Sequence, residues 1–260
     1  MELVFFFYLY IFLFGLVVGS FLNSIIYRLK TGESFLGGRS HCPNCKHHLS
    51  WRDLIPIFSF LILKGKCRYC HQKISCQYPL VELATGILFI LIIHYSPPNL
   101  LVTGYRLLIT SLLIIIFVYD LKHYIIPDKV IYPAIVLTLI FNFKFLILNQ
   151  PLIFKNAALS ALGAAIFFLL IFLISRGKWL GFGDVKLAFF MGLFLGFPNI
   201  LAALFFAYLV GAIIGIGLIL IGKKTLKSEV PFGPFLVFGT LIALFFGNII
   251  IDWYLNFLTM

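Results

Sequence analysis

A chain of 260 residues that is 62% hydrophobic and only 11% charged has too little polar surface for a water-soluble domain, since such domains are about half apolar and about a quarter charged. Its mean hydropathy of +1.08 predicts a polytopic membrane protein. The formal charge of +11 does not point to nucleic acid, because lysines and arginines fill the short gaps between apolar runs, where they set orientation and meet acidic lipid.

The first apolar run, residues 1–27, has no basic residue ahead of it and is followed by Arg28 and Lys30. A secretory signal has the reverse order of charge and apolar stretch, so a retained first helix is predicted, with its N-terminus outside. Residues 28–79 form the one long polar segment, which holds nine of the twenty basic residues and all five cysteines. Residues 80–260 return to hydrocarbon. A second run begins at Leu80 and ends at the turn Pro97-Pro98, and a third, about residues 99–119, ends on Asp120. After the short link from Asp120 to Asp128, runs over 130–148 and 154–175 meet at an outer turn near Asn149-Gln150-Pro151. A glycine-rich polar stretch, 176–183, precedes a sixth run over 184–197, which Pro198-Asn199 breaks. A seventh covers 200–221, Lys223, Lys224 and Lys227 follow, and an eighth runs from Val230 to Phe257.

Eight crossings that begin outside put seventeen of the twenty Lys and Arg on the cytoplasmic side, with Arg106, Lys144 and Lys155 as the exceptions; shifting the topology by one helix reverses that asymmetry. The predicted architecture is an all-α polytopic membrane protein of about eight transmembrane helices, with a small zinc-binding cytoplasmic domain. Its divisions are a first helix (1–27), a four-cysteine domain (28–79) and a membrane core (80–260). No internal repeat is visible in the sequence.

Cys42-Pro-Asn-Cys45 and Cys67-Arg-Tyr-Cys70 are separated by 21 residues. Each CxxC turn presents two thiolates, and two turns complete a closed tetrahedral zinc site. Disulfides are the alternative, but the segment is predicted to lie on the reducing side. Such a site has no open coordination position, so it folds its domain and does not catalyse. His41, His47, His48 and His71 flank the thiols as surrounding or solvated groups, with replacement of a cysteine by one of them as the alternative, and Cys76 stands outside both pairs.

Only nine carboxylates occur in the chain, and an acid at the edge of hydrocarbon is costly and usually functional. Asp120 and Asp184 both stand at the ends of long apolar runs, and the topology brings them to the same face. Two acids at close range cannot both ionise; one stays protonated while the other acts as base, the arrangement of an aspartic protease. Singly, Asp184 also reads as a helix N-cap and Asp120 as an interfacial partner of Lys122 or Lys129. Capping alone does not require the flanking Gly181 and Gly183, which permit close approach of backbones.

Asp120-x7-Asp128 with Pro127, followed by Gly181-Phe-Gly-Asp184-Val-Lys-Leu, resembles the two signatures of the bacterial type IV prepilin peptidases, which are GxGD-type intramembrane aspartic proteases. Gly19-Ser-Phe-Leu-Asn-Ser-Ile-Ile-Tyr-Arg28, both CxxC pairs, Ile74-Ser75, Tyr78-Pro-Leu-Val-Glu-Leu83 and Pro231-Phe-Gly-Pro-Phe235 also match that family in order. Gln77 stands where the family commonly has arginine, and Arg52-Asp53-Leu54 only loosely follows its usual Asp-Asn pair.

The resemblance implies that Asp120 and Asp184 are catalytic, with Asp128 shaping the loop. It further implies cleavage of prepilins and pseudopilins after a glycine at the cytoplasmic face of the bacterial inner membrane. A second activity follows from it too: N-methylation of the new N-terminus with S-adenosylmethionine. For that activity Glu82 and Asn23 are the candidate contributors, against the alternative of ordinary polar contacts at helix ends. Two other classes compete. An ion-coupled transporter using the two acids as cation sites predicts uptake without leader removal. A non-enzymatic pilus or secretion assembly factor predicts that both acids tolerate asparagine.

Overall fold

The computed structural model describes residues 2–34, 37–148, 150–223, 225 and 230–258. Met1, Asn149, Lys224 and Lys227, which figure in the sequence reading, lie outside the described residues. Among the described residues the regular secondary structure is helical, apart from two isolated β-bridges, His41 with His48 and Lys66 with Lys73. It divides into two compact units, Met1–Ile115 and Ile116–Met260.

In the first unit, α1 (Glu2–Thr31) packs on α3 (Gln77–Tyr95). The pairing depends on small residues, because lipid gives helices no hydrophobic reason to associate and van der Waals contact must supply it. A Cβ added at Gly15 would lie 2.7 Å from the Gly86 Cα, and one at Gly19 would lie 2.7 Å from the Glu82 Cα. Between these helices the polar segment carries a 3-10 turn (Trp51–Leu54) and a short α2 (Phe58–Ile62). Helix α1 runs on to Thr31, past the predicted end at Tyr27, with Arg28 and Lys30 in its last turn, where cations complement the exposed carbonyls. Helix α4 (Leu100–His123) begins in this unit and carries Asp120 near its C-terminus.

The second unit continues with α5 (Asp128–Ile147), α6 (Pro151–Ser175), α7 (Phe182–Leu195), α8 (Asn199–Leu220) and α9 (Gly233–Leu258). Eight of the nine α-helices among the described residues coincide with the eight predicted runs. Six of them, α1, α3, α4, α6, α8 and α9, are long and apolar enough to span a membrane by length and composition. The chain is therefore a multi-pass membrane protein.

Helices α6 and α7 are antiparallel. A Cβ at Gly192 would meet the Ala161 backbone, and the Phe172 and Phe182 rings lie 5.7 Å apart. Helices α8 and α9 are also antiparallel, with Gly239 against Ala203 and Ala207, and Gly247 against Asn199. At 14 residues α7 is only about 21 Å long. At its C-terminal end the chain breaks before Pro198. Asn156 covers the break, accepting the Phe197 N–H at 2.7 Å and donating to the Phe197 carbonyl at 2.9 Å. Backbone groups freed inside hydrocarbon need such a partner.

Candidate active site and metal centre

Three helices begin around one acid-bearing helix end. Asp120 is 4% exposed in the last turn of α4, and its carboxylate faces the Gly233 N–H at the N-terminus of α9. The first N–H groups of a helix have no partner within it and attract anions. Glycine is required at 233 because a Cβ there would lie 2.5 Å from Asp120 Oδ2.

Asp184 is 8% exposed in the first turn of α7. The expected N-cap position is taken instead by Gly181. Asp184 stands three residues further on, donates its own N–H to the Gly181 carbonyl at 3.1 Å and accepts the Gly181 N–H on Oδ2 at 3.1 Å. Gly181 has no side chain, so only the reaching-back half of a capping box is present. One carboxylate oxygen thus holds the entry of α7, and the charge of Asp120 acts on the group.

The loop between α4 and α5 sets this juxtaposition. Tyr124, with φ of 57°, turns the chain out of α4 and sends Ile126 inward, where it is 6% exposed. The Ile126 side chain fills the space beside Gly183 and Gly233 alike: a Cβ at the first would lie 3.0 Å from Ile126 Cβ, and one at the second 3.4 Å from its Cδ1. Asp128, at the start of α5, receives a 2.6 Å ion pair from Lys186. The same ammonium stands 4.9 Å from the Tyr132 ring centre and 5.3 Å from that of Phe182. Asp128 is thereby tied to the helix that carries Asp184. The contribution of Gly233 lay in the Pro231-Phe-Gly-Pro-Phe motif. The Ile126 wedge left no signal in the sequence.

The other candidate residues lie in the first unit. The Sγ atoms of Cys42, Cys45, Cys67 and Cys70 all fall within 4.8 Å of one another, a group that could hold a metal ion. Tetrahedral zinc with bonds of about 2.3 Å sets its sulfurs about 3.8 Å apart, and Cys42 and Cys70 are 3.8 Å apart. The donor set fits. The two turns are copies of each other, a short repeat that the sequence reading did not see. In each, the first cysteine donates its N–H five residues ahead (Cys42 to His47, Cys67 to Gln72) and accepts from the residue four ahead (Lys46, His71). Lys46 and His71 both have positive φ, 58° and 57°.

Burial works against ionisation of Cys42, yet the N–H groups of Cys45 and Asn44 and the adjacent thiols bring it down to about 7. The Gln72 N–H favours the Cys70 thiolate, but desolvation and three neighbouring sulfurs push it up to about 11. No flanking histidine joins the group among the described residues, and Cys76 lies outside it at the N-cap of α3. The His47 ring lies 3.7 Å from that of Tyr69, and His41 stands edge-on to Tyr27.

Asp53 joins the two turns. It accepts the Ser50 N–H and hydroxyl at 3.1 and 2.8 Å and the Arg68 Nε–H at 2.7 Å. Burial would raise its pKa, but Ser50 and Arg68 outweigh that and hold it below the usual carboxylate value.

Glu82 and Asn23, proposed from the sequence as contributors to a methyl-donor site, are engaged within the protein. Glu82 Oε2 accepts the Ile57 N–H at 2.8 Å. Asn23 donates to the Tyr78 carbonyl at 3.0 Å and accepts from Gln77 Nε2 at 3.1 Å, while Gln77 Oε1 is buried without a partner. These contacts favour the helix-end alternative.

Comparison with known proteins identifies the family. Residues 13–96 match the Bacterial Peptidase A24 N-terminal domain, and residues 107–216 match the Type IV leader peptidase family. The chain is 35% identical to the prepilin leader peptidase/N-methyltransferase of Bacillus subtilis (strain 168), over 95% of this chain and 97% of the relative. It is 33% identical to that of Aeromonas salmonicida (strain A449), over 95% and 93%, and 31% identical to that of Legionella pneumophila, over 97% and 96%. No solved structure matches. With a third of its residues shared along nearly its whole length, and both halves matched in order, the chain belongs to the type IV leader peptidase family.

Proposed function

We propose that Asp120 and Asp184 are the catalytic pair of a prepilin leader peptidase. The enzyme removes the leader from type IV prepilins and pseudopilins after a glycine, at the cytoplasmic face of the inner membrane. The observation that carries the reading is the burial of two carboxylates from distant helices around one side chain, Ile126, each at a helix N-terminus: Asp120 at that of α9 and Asp184 at that of its own α7. One acid takes a proton from water for attack on the scissile carbonyl; the other gives a proton to the carbonyl oxygen or the leaving amine. Two acids that share a proton titrate as a unit, so in this reading the roles belong to the couple and not to either residue. Asp120→Asn and Asp184→Asn should each abolish leader removal from a purified prepilin while the protein still accumulates in the membrane. Substantial cleavage by either variant would end the proposal, and ion uptake by the wild type would favour a transporter.

The same reading gives the four cysteines a structural zinc ion, which would hold the two copied turns together and take no part in peptide cleavage. It also gives the enzyme a second step, methylation of the new N-terminus with S-adenosylmethionine as methyl donor. That activity is supported by the N-methyltransferase in the names of the relatives. Neither Glu82 nor Asn23 is assigned to the donor, since each already has partners in its own unit. Incubation with a prepilin and labelled S-adenosylmethionine should label the cleaved product. Cleaved but unlabelled product would remove the second step and leave the first untouched.

A further inference from the structure

We propose that the segment from Trp51 to Ile62, within the polar part of the first unit, is a membrane foot. It rests in the headgroup region of the leaflet that α3 enters. Its side chains are arranged inside out. The acid of the segment, Asp53, turns inward to Ser50 and Arg68, and its side chain is only 3% exposed. The apolar residues turn outward: Trp51, Leu54, Ile55, Phe58, Leu61 and Ile62 are exposed, Trp51 by 70% and Ile62 by 74%. They recur every three or four residues through the 3-10 turn and α2, which pack against each other. A free aqueous surface of this kind is costly at about 25 cal/mol per Å² of apolar area, whereas the headgroup and upper acyl region accepts it.

One hydrogen bond sets the depth. Glu82 Oε2 accepts the Ile57 N–H at 2.8 Å, and Glu82 lies five residues into α3, about 7 Å below its start. Helix α3 has 19 residues and extends about 28 Å, close to the thickness of the hydrocarbon layer itself. Ile57 is therefore held at or just below the plane where that helix enters the membrane. Amphipathic segments settle about 5–10 Å into the same boundary.

Charge identifies the occupant as lipid. From residue 54 to residue 81 there is no acidic side chain, while Lys64, Lys66, Arg68 and Lys73 supply four basic ones. Lys64 and Lys66 are exposed directly after α2, and the Arg52 guanidinium stands 5.4 Å from the Trp51 ring centre. An apolar face rimmed by cations, with a tryptophan at the boundary, matches an acidic lipid surface.

The test uses the full-length protein carrying Trp179→Phe and Trp253→Phe, so that Trp51 is the remaining tryptophan. It is reconstituted in vesicles of phosphatidylethanolamine and phosphatidylglycerol, with zinc content measured as the check on folding. Bromine placed high on the acyl chain should quench Trp51 several-fold more than bromine near the tail, and aqueous iodide should quench it weakly. Adding Phe58→Ser and Ile62→Ser at unchanged zinc content should raise iodide quenching several-fold. Strong iodide quenching of the parent without bromine quenching would show the segment in water and overturn the proposal. Protection from both quenchers would show it covered by protein, such as a second copy or a substrate helix, and would overturn it equally.

Discussion

Gly233 has no side chain because the carboxylate of Asp120 occupies the place where one would begin. Gly233→Ala would drive a methyl group to 2.5 Å from Oδ2, and the acid, packed in the last turn of α4, has to move. A shift of about 1 Å in a reacting group costs about a hundredfold in rate. Leader cleavage by Gly233→Ala should fall by about that factor, whereas Gly215→Ala, which meets open space, should cleave at the parent rate. Equal activity of the two variants would show that the Gly233 contact does not position the acid. The acids themselves were legible in the sequence, because an unbalanced carboxylate at a hydrocarbon edge stands out by cost alone. Their contacts were not. The Ile126 wedge and the Asp128–Lys186 pair join residues far apart in the chain, and no local pattern of side chains records a distance between helices.

Among the elements, the two cysteine turns show how a short sequence becomes a rigid unit. Each turn satisfies its own N–H and carbonyl groups, but neither has a hydrophobic core, and Cys42 and Cys67 are the buried members. A metal ion bound there would supply folding energy. Purified protein should carry one zinc per chain. Its removal by chelator should open residues 28–79 to protease while helices of the second unit stay protected. Asp53 is the brace between the turns, and Asp53→Ala would leave Arg68 and the Ser50 groups without their acceptor. A charged hydrogen bond with one partly exposed partner contributes about 1–2 kcal/mol, so chelator should strip zinc from Asp53→Ala about tenfold more readily. No change would mean that Asp53 is not part of the brace. The spacing of cysteines announced this element. Asp53 stood out in the sequence only as a loose match to the family's Asp-Asn pair, because its partners Ser50 and Arg68 become neighbours only in the folded segment.

Across the whole molecule, hydropathy found the helices but could not decide which of them cross. Helix α5 and the 14-residue α7 are not among the six that qualify by length and composition. Contacts within the second unit supply the missing rule. Asp120 ends α4, Asp184 starts α7 and Gly233 starts α9, and all three meet around Ile126. Two helices lie between each successive pair: α5 and α6, then α7 and α8. The chain returns to the same face only if both members of a pair traverse or neither does, and α6 and α8 have the length and composition to span, so α5 crosses with α6 and α7 with α8. For the sign we propose a start outside, since eight traverses in that sense would leave Arg106, Lys144 and Lys155 as the outer cations. The turn at Gln150 decides between this arrangement and one with six crossings, which would bring that turn inside and carry Lys178 outside. In a Cys76→Ser background, Gln150→Cys should react with an impermeant maleimide in intact spheroplasts, and Lys178→Cys only after the membrane is opened. The reverse pattern would separate Asp120 from Asp184 by the width of the bilayer, and the two acids could then share neither a water nor a substrate.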